Sequence, residues 1–118
     1  MNKEVIAKTA IVIAAPLTNV WEALIKPDLI ETSGTQVITD WQVGSSILYT
    51  GTREGRKYQD KGRVLHIEKD RLLICTLWSS TDGLPDLPKN YKTVRYDLSQ
   101  EGNGTRLTIH FSREMEEE

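Results

Sequence analysis

The segment from Leu17 to Ile25 has the clearest helical pattern in the chain. Apolar residues recur there at intervals of three and four positions: Leu17, Val20, Trp21, Leu24 and Ile25. This spacing places them on one face of an α-helix, with polar residues on the other face. Pro16 fits the first helical position, and Pro27 should end the helix because the residue before a proline is pushed out of the α region. One short helix cannot fold alone, so we expect this apolar face to pack on a sheet.

Most of the remaining chain alternates apolar and polar residues with a period of two, which is typical of β-strands. One long strand is predicted before the helix, over residues 3–14. Six more are predicted over residues 36–41, 46–52, 57–67, 72–79, 91–99 and 105–112. Short turns join most of them, so successive strands should pair antiparallel. The one long connection, residues 81–90, contains Pro85 and Pro88, which remove backbone donors and keep it out of the sheet.

A second short helical turn is predicted at residues 27–30, Pro-Asp-Leu-Ile, and Ser33-Gly34 would end it. The predicted order is therefore one strand, two short helices and six antiparallel strands. This order defines the α+β class, with a sheet that curves around helical cover. At 118 residues the chain should form a single domain over residues 1–118.

Composition narrows the classes of function. The chain has 15 Lys and Arg against 17 Asp and Glu, and the strands mix both signs, which argues against a nucleic-acid partner. No apolar run approaches the length that crosses a membrane, and the N-terminus lacks the pattern of a signal peptide. The single Cys75 can form no internal disulfide and is expected to be a small buried hydrophobe. We therefore predict a soluble cytoplasmic domain with no nucleic-acid or membrane partner.

No catalytic or metal-binding pattern is present. His66 and His110 lie in predicted strands without a Cys, His or carboxylate at metal-ligand spacing. The Gly-x-Ser-x-Gly elbow and a phosphate-binding loop are both missing. Asp60 and Asp97 would suit an acid/base pair, but nothing in the sequence places them opposite each other. We therefore predict no catalytic residue, no metal and no cofactor.

Aromatic residues in or beside the strands are the stronger signal. They are Trp41, Tyr49, Tyr58, Trp78, Tyr91, Tyr96 and Phe111. Core packing is the simpler explanation for any single ring. The alternative is that some line a pocket between sheet and helix, since Tyr and Trp combine an apolar face with a hydrogen-bonding tip. We predict that Trp78 and Phe111 line such a cavity, together with Tyr49 and Tyr96.

Several pieces of the chain, in order, resemble the START-like (SRPBCC) superfamily. These pieces are the helical segment Ala15-Pro16-Leu17-Thr18-Asn19-Val20-Trp21-Glu22-Ala23-Leu24 with Lys26-Pro27-Asp28-Leu29-Ile30, then Asp40-Trp41-Gln42-Val43-Gly44, Gly62-Arg63-Val64-Leu65 before Arg71-Leu72, and Gly104-Thr105-Arg106-Leu107-Thr108. The branch they resemble most is the activator of heat-shock protein 90 ATPase homologue-like branch. The resemblance implies a helix-grip fold, in which a curved antiparallel sheet wraps a long C-terminal helix with a cavity between them.

The same resemblance implies three classes of function. The first is a non-catalytic domain that binds an apolar small molecule or lipid in the cavity. The alternatives are a co-chaperone-like module that binds a chaperone, and a cyclase-type enzyme. A cyclase would need Asp60, Arg95 and His110 to point into the cavity.

The chain departs from this family pattern in two places. The aromatic that often follows the second helical turn is replaced by Glu31-Thr32-Ser33, and the sequence ends at Glu118, where the long C-terminal helix should begin. The last residues, 113–118, are expected to start a helix, because glutamates near a helix N-terminus interact favourably with its dipole. A bare concave face would expose more apolar surface than monomers usually tolerate. We therefore expect either that the gene continues into this helix or that the chain dimerises.

Overall fold

The structure is a computed structural model that describes residues 3–26 and 34–114. Strand β1 (Lys3–Ile13) comes first and is followed by helix α1 (Leu17–Ile25). The remaining strands are β2 (Gln36–Ile38), β3 (Ser46–Arg53), β4 (Arg56–Glu68), β5 (Leu72–Ser79), β6 (Lys92–Glu101) and β7 (Gly104–Glu114). Two short 3₁₀ helices, Ser80–Asp82 and Pro88–Asn90, lie between β5 and β6.

The seven strands form one curved antiparallel sheet in the order β1-β7-β6-β5-β4-β3-β2. Consecutive strands from β2 to β7 are neighbours, and β1 pairs with β7 at one edge. The predicted α+β class and the antiparallel pairing are confirmed. The sheet curves because its strands twist and because β1 and β4 each contain a shift in pairing register.

Helix α1 has the bounds that the apolar spacing predicts. Pro16 lies one position earlier than expected: it is the N-cap residue, with an extended backbone, and its carbonyl accepts from the amide of Val20 at 3.1 Å. Val20 and Trp21 are buried, whereas Glu22 is exposed, so the predicted apolar face packs on the sheet. The predicted second helical turn at residues 27–30 lies outside the described residues.

Most predicted strand ends lie within two residues of the observed ones, and two of the differences bear on the predictions. Strand β2 ends at Ile38, and the chain then turns: the Thr39 hydroxyl accepts a hydrogen bond from the Trp41 amide at 3.2 Å, and Trp41 has a left-handed backbone (φ 57°). At the other end, β7 continues through Arg113 and Glu114, which pair with Glu4 and Lys3. The prediction that a helix begins at residue 113 is therefore wrong for these two residues, and residues 115–118 lie outside the described part of the chain.

The sheet has two faces, which strand alternation fills with different residues. The inner face packs against α1, and its residues join Val20 and Trp21 in one hydrophobic core. The sheet contributes Ile47, Val64, Leu73, Cys75, Val94, Leu98 and Leu107 to that core. The outer face lies on the opposite side and includes Lys61, Trp78 and Arg95. Each face has a concavity of its own.

Candidate functional site

A pocket of about 320 Å³ lies between α1 and the inner face of the sheet. Ala23 and Leu24 contribute the helix side, and Tyr49, Leu77 and Tyr96 belong to three different strands on the sheet side. The pocket forms because the short helix covers only part of the curved sheet. Its position between packed elements makes it a candidate small-molecule site.

The hydroxyl groups of Tyr49 and Tyr96 add polarity to this largely apolar wall. Burial raises the pKa of both groups far above the ordinary value of a tyrosine, because the charged phenolate would lose its hydration. Both side chains therefore stay protonated and keep a hydrogen-bond donor. Burial also raises the pKa of the nearby Cys75 thiol to about 12, so this cysteine is a neutral wall residue.

Asp60 supplies a negative charge to the same pocket. Its side chain is almost buried, and Oδ1 accepts a hydrogen bond from the Ser79 hydroxyl at 2.7 Å. The guanidinium of Arg53 lies 3.6 Å from Oδ2. A carboxylate held in this way can accept a hydrogen bond from a ligand hydroxyl or amine, while the Arg53 guanidinium offsets part of its charge.

Tyr58 also lies in the pocket wall, where close packing orients its ring. Its hydroxyl lies 2.7 Å from the Thr35 hydroxyl, and the Arg53 guanidinium lies 4.1 Å from the ring centre. A Cβ atom at Gly51 would come within 2.8 Å of the Tyr58 ring and hydroxyl. Glycine at that position is therefore what allows Tyr58 to lie so close to β3.

The structure separates the four aromatic residues that the sequence places in one cavity. Tyr49 and Tyr96 line the pocket, and Phe111 lies on the same inner face, packed against the core. Trp78 lies on the outer face, where its indole N–H donates to the carbonyl of Leu84 at 3.1 Å. The prediction that all four rings line one cavity is therefore wrong for Trp78, because Leu77 occupies the inward position on β5.

Several pocket residues are not among the four predicted from the sequence, including Tyr58, Asp60 and Cys75. The spacing of Tyr58 and Asp60, two apart on one strand, does indicate a shared face. However, only the fold shows that this face meets the helix.

His110 and Arg95 lie on the outer face, where Arg95 binds Asp97 at 2.8 Å. The three groups required for a cyclase therefore do not converge, and Asp60 and Asp97 lie on opposite faces.

The described residues contain no group of three or more His, Cys, Asp or Glu side chains that could hold a metal ion. His66 and His110 are each close to a carboxylate, of Glu68 and Asp97 respectively. No described helix is long and apolar enough to cross a membrane.

The curved sheet with a helix against its inner face defines a domain of the START-like class. Within that class, the chain belongs to the family described as Activator of Hsp90 ATPase homolog 1-like protein, whose model matches residues 14–118. The sequence-based assignment to this branch is confirmed. No curated protein matches the chain.

Solved structures agree with this assignment. A solution structure of ChR145 from Cytophaga hutchinsonii is 36% identical with a TM-score of 0.74, and the match covers 96% of this chain and 79% of that one. Protein Ms6760 from Mycobacterium smegmatis is 19% identical with a TM-score of 0.72, covering 92% and 72%. Ara h 8.0201 is 10% identical with a TM-score of 0.70, covering 98% and 80%. The last two are similar in fold alone.

Proposed function

We propose that this domain binds an apolar small molecule or lipid, with a polar end, in the pocket between α1 and the sheet. The observation that supports this most directly is the presence of both Tyr49 and Tyr96 in the pocket wall. Their rings add apolar surface to the wall, and both keep a protonated hydroxyl. Such a wall suits a ligand whose body is apolar and whose orientation is fixed by a few hydrogen bonds.

The pocket also limits the chemistry of this ligand. Its volume of about 320 Å³ is near the lower end of the usual range for ligand pockets, which favours one ring system or a short chain. Asp60 favours a hydroxyl or an amine at the polar end, because its carboxylate accepts hydrogen bonds. We therefore propose a neutral or cationic amphipathic ligand and a binding role that needs no catalytic residue.

The test uses Ala23→Phe, which fills the pocket from the helix side, and the neutral dye N-phenyl-1-naphthylamine as the probe. The wild-type protein should bind the dye saturably with increased fluorescence, and Ala23→Phe should weaken binding by about tenfold or more. Asn19→Phe is the matched control, because it places the same ring on the exposed side of α1. Equal binding by both variants, or no saturable binding by the wild type, would contradict the proposal.

Binding to a chaperone is a second candidate function, and the description of the family supports it. The test adds the purified domain to purified heat-shock protein 90 and measures the rate of ATP hydrolysis. A saturable increase would support a co-chaperone role. An unchanged rate together with separate sedimentation of the two proteins would contradict it.

A further inference from the structure

A second concavity, of about 580 Å³, lies on the outer face of the sheet. We call it the outer groove. Leu48, Arg63 and Thr76, from β3, β4 and β5, contribute to its base, and Pro88 and Tyr91 contribute one side. It lies on the opposite side of the sheet from the pocket beside α1, which we call the inner pocket. The helix does not contribute to it, so its chemistry is independent of the inner pocket.

The side wall of the outer groove is held in place by Asp86. Its carboxylate accepts a hydrogen bond from Lys61 Nζ at 3.0 Å and another from the Tyr91 hydroxyl at 2.6 Å. Trp78 attaches the same connection to the sheet through its bond to the carbonyl of Leu84. The groove is therefore formed before any ligand arrives, which reduces the entropy cost of binding.

The balance of charge in the groove is positive. Asp86 neutralises Lys61, with which it forms an ion pair. Arg63 donates one hydrogen bond, at 2.8 Å, to the carbonyl of Gly44. Among the described residues, no carboxylate lies within ion-pair distance of Arg63. A guanidinium has five N–H donors, so most of the donors of Arg63 are available to a ligand.

Tyr91 and Arg63 both line the outer groove. Burial and the hydrogen bond to Asp86 raise the pKa of Tyr91 to about 12, and the nearby Arg63 guanidinium opposes that increase. The cationic group and the apolar side chains of the groove thus lie within reach of one small ligand.

We propose that the outer groove binds a small amphipathic anion, with a carboxylate on Arg63 and an apolar or aromatic body against Leu48, Pro88 and Tyr91. Arginine suits this role because its planar fork can bind both oxygens of a carboxylate. The volume of the groove lies within the usual range for small-molecule sites. Asp60 favours hydrogen-bond donors in the inner pocket, so the two sites should prefer different ligands.

The test titrates ¹⁵N-labelled protein with 2-naphthoate and, separately, with its neutral analogue 2-naphthamide. Naphthoate should shift the amide signals of Leu48, Arg63, Thr76 and Tyr91 saturably. Naphthamide should bind about tenfold more weakly, as expected when a charge-assisted hydrogen bond is lost. Arg63→Gln should weaken naphthoate binding by a similar factor and leave the binding of naphthamide nearly unchanged.

Two further variants make the result specific. Ser46→Trp, at an exposed position in the groove, should block both compounds by filling the space. Arg106→Gln removes a guanidinium that is paired with Glu101 on another part of the sheet, and it should leave both affinities unchanged. The proposal is overturned if naphthoate shifts the signals of α1 and Tyr96 instead, if Arg63→Gln binds it as tightly as the wild type, or if no saturable shift occurs.

Discussion

Trp21 is the residue on which the packing of α1 depends most. It is only 3% exposed and lies in the core with Val94 and Leu98 of the sheet. Its position is structural, because it does not line the inner pocket. Single residues of this kind are well predicted from sequence, since a large apolar side chain in the middle of the apolar face of a helix is normally buried against the core.

Trp21→Ala is expected to destabilise the protein by about 3–5 kcal/mol, because it removes a large buried ring and leaves a cavity. This would be a large share of the roughly 5–15 kcal/mol that stabilises a typical domain. Urea denaturation should measure the difference, with Glu22→Ala, at the exposed neighbouring position, as the control. A loss below about 1 kcal/mol would mean that the ring is not an anchor.

The buried thiol and phenols should make the protein less stable at alkaline pH. Burial raises the pKa of Cys75 from 9.0 to about 12 and also raises that of Tyr49 and Tyr96. Above about pH 9 the unfolded chain loses these protons first, so it binds fewer protons than the folded state and the free energy of unfolding decreases.

Urea denaturation at increasing pH should show this decrease, and Cys75→Ala should show a smaller slope between about pH 9 and pH 10 because one of the titrating groups is gone. The slopes are compared rather than the absolute stabilities, since the substitution also changes packing. A free energy of unfolding that stays constant up to about pH 10.5 would contradict the assignment of these groups as buried and protonated.

At the scale of the elements, local signals predict the boundaries well. The bounds of α1 agree with the sequence pattern because the signals that set them are local: Pro16 caps the start of the helix, and the apolar stripe lies within the nine residues that follow. Strand β5 was also predicted with its observed bounds, Leu72–Ser79. The early end of β2 was missed because the chain turns between Thr39 and Trp41, where Trp41 has a left-handed backbone that its residue type does not suggest.

The same signals do not show which face of a strand meets the helix. Both sides of β5 are apolar, with Leu73 and Leu77 on the inner face and Ile74 and Trp78 on the outer face. Alternation therefore shows correctly which residues share a face of the strand, but it does not show which of the two faces meets the helix. This is why Trp78 was expected beside Tyr96 and lies instead under the connection that borders the outer groove.

That connection between β5 and β6 should depend on Asp86 for its position. Asp86→Ala removes the acceptor of both Lys61 and Tyr91, so the segment should become more accessible and trypsin should cleave faster after Lys89. The midpoint of global unfolding should change little, because exposed ion pairs contribute little to stability. Glu101→Ala is the control, since it removes an ion pair with Arg106 that lies outside this connection. Equal cleavage rates in the two variants would show that Asp86 does not hold the segment.

At the scale of the whole molecule, a single sheet separates two concavities of different character. The inner pocket combines tyrosine hydroxyls with a carboxylate that is paired with Arg53, and the outer groove contains Arg63, which has no carboxylate partner among the described residues. Alternation along β4 produces this difference directly: Asp60 points inward, whereas Lys61 and Arg63 point outward. Substitutions on one face should therefore leave binding on the other face unchanged, which allows the two proposals to be tested independently.

Strand β1 gives the molecule an exposed edge. It pairs with β7 on one side, and in the described part of the chain no strand pairs with its other side. Val5, Ile11 and Val12 are 59%, 50% and 56% exposed. Unpaired backbone groups next to exposed apolar side chains favour pairing with another strand. We expect the 118-residue chain to associate with a second copy through this edge.

Sedimentation velocity over a range of concentrations should show this association as a sedimentation coefficient that increases with concentration. Val12→Lys should weaken the association by about tenfold or more, because a lysine on an edge strand opposes strand pairing. Val43→Lys is the matched control: Val43 is 64% exposed but lies in a turn, so the same charge there should have no effect. If the wild-type chain sediments as a monomer at all concentrations, or if both lysine variants behave alike, β1 is not an association surface.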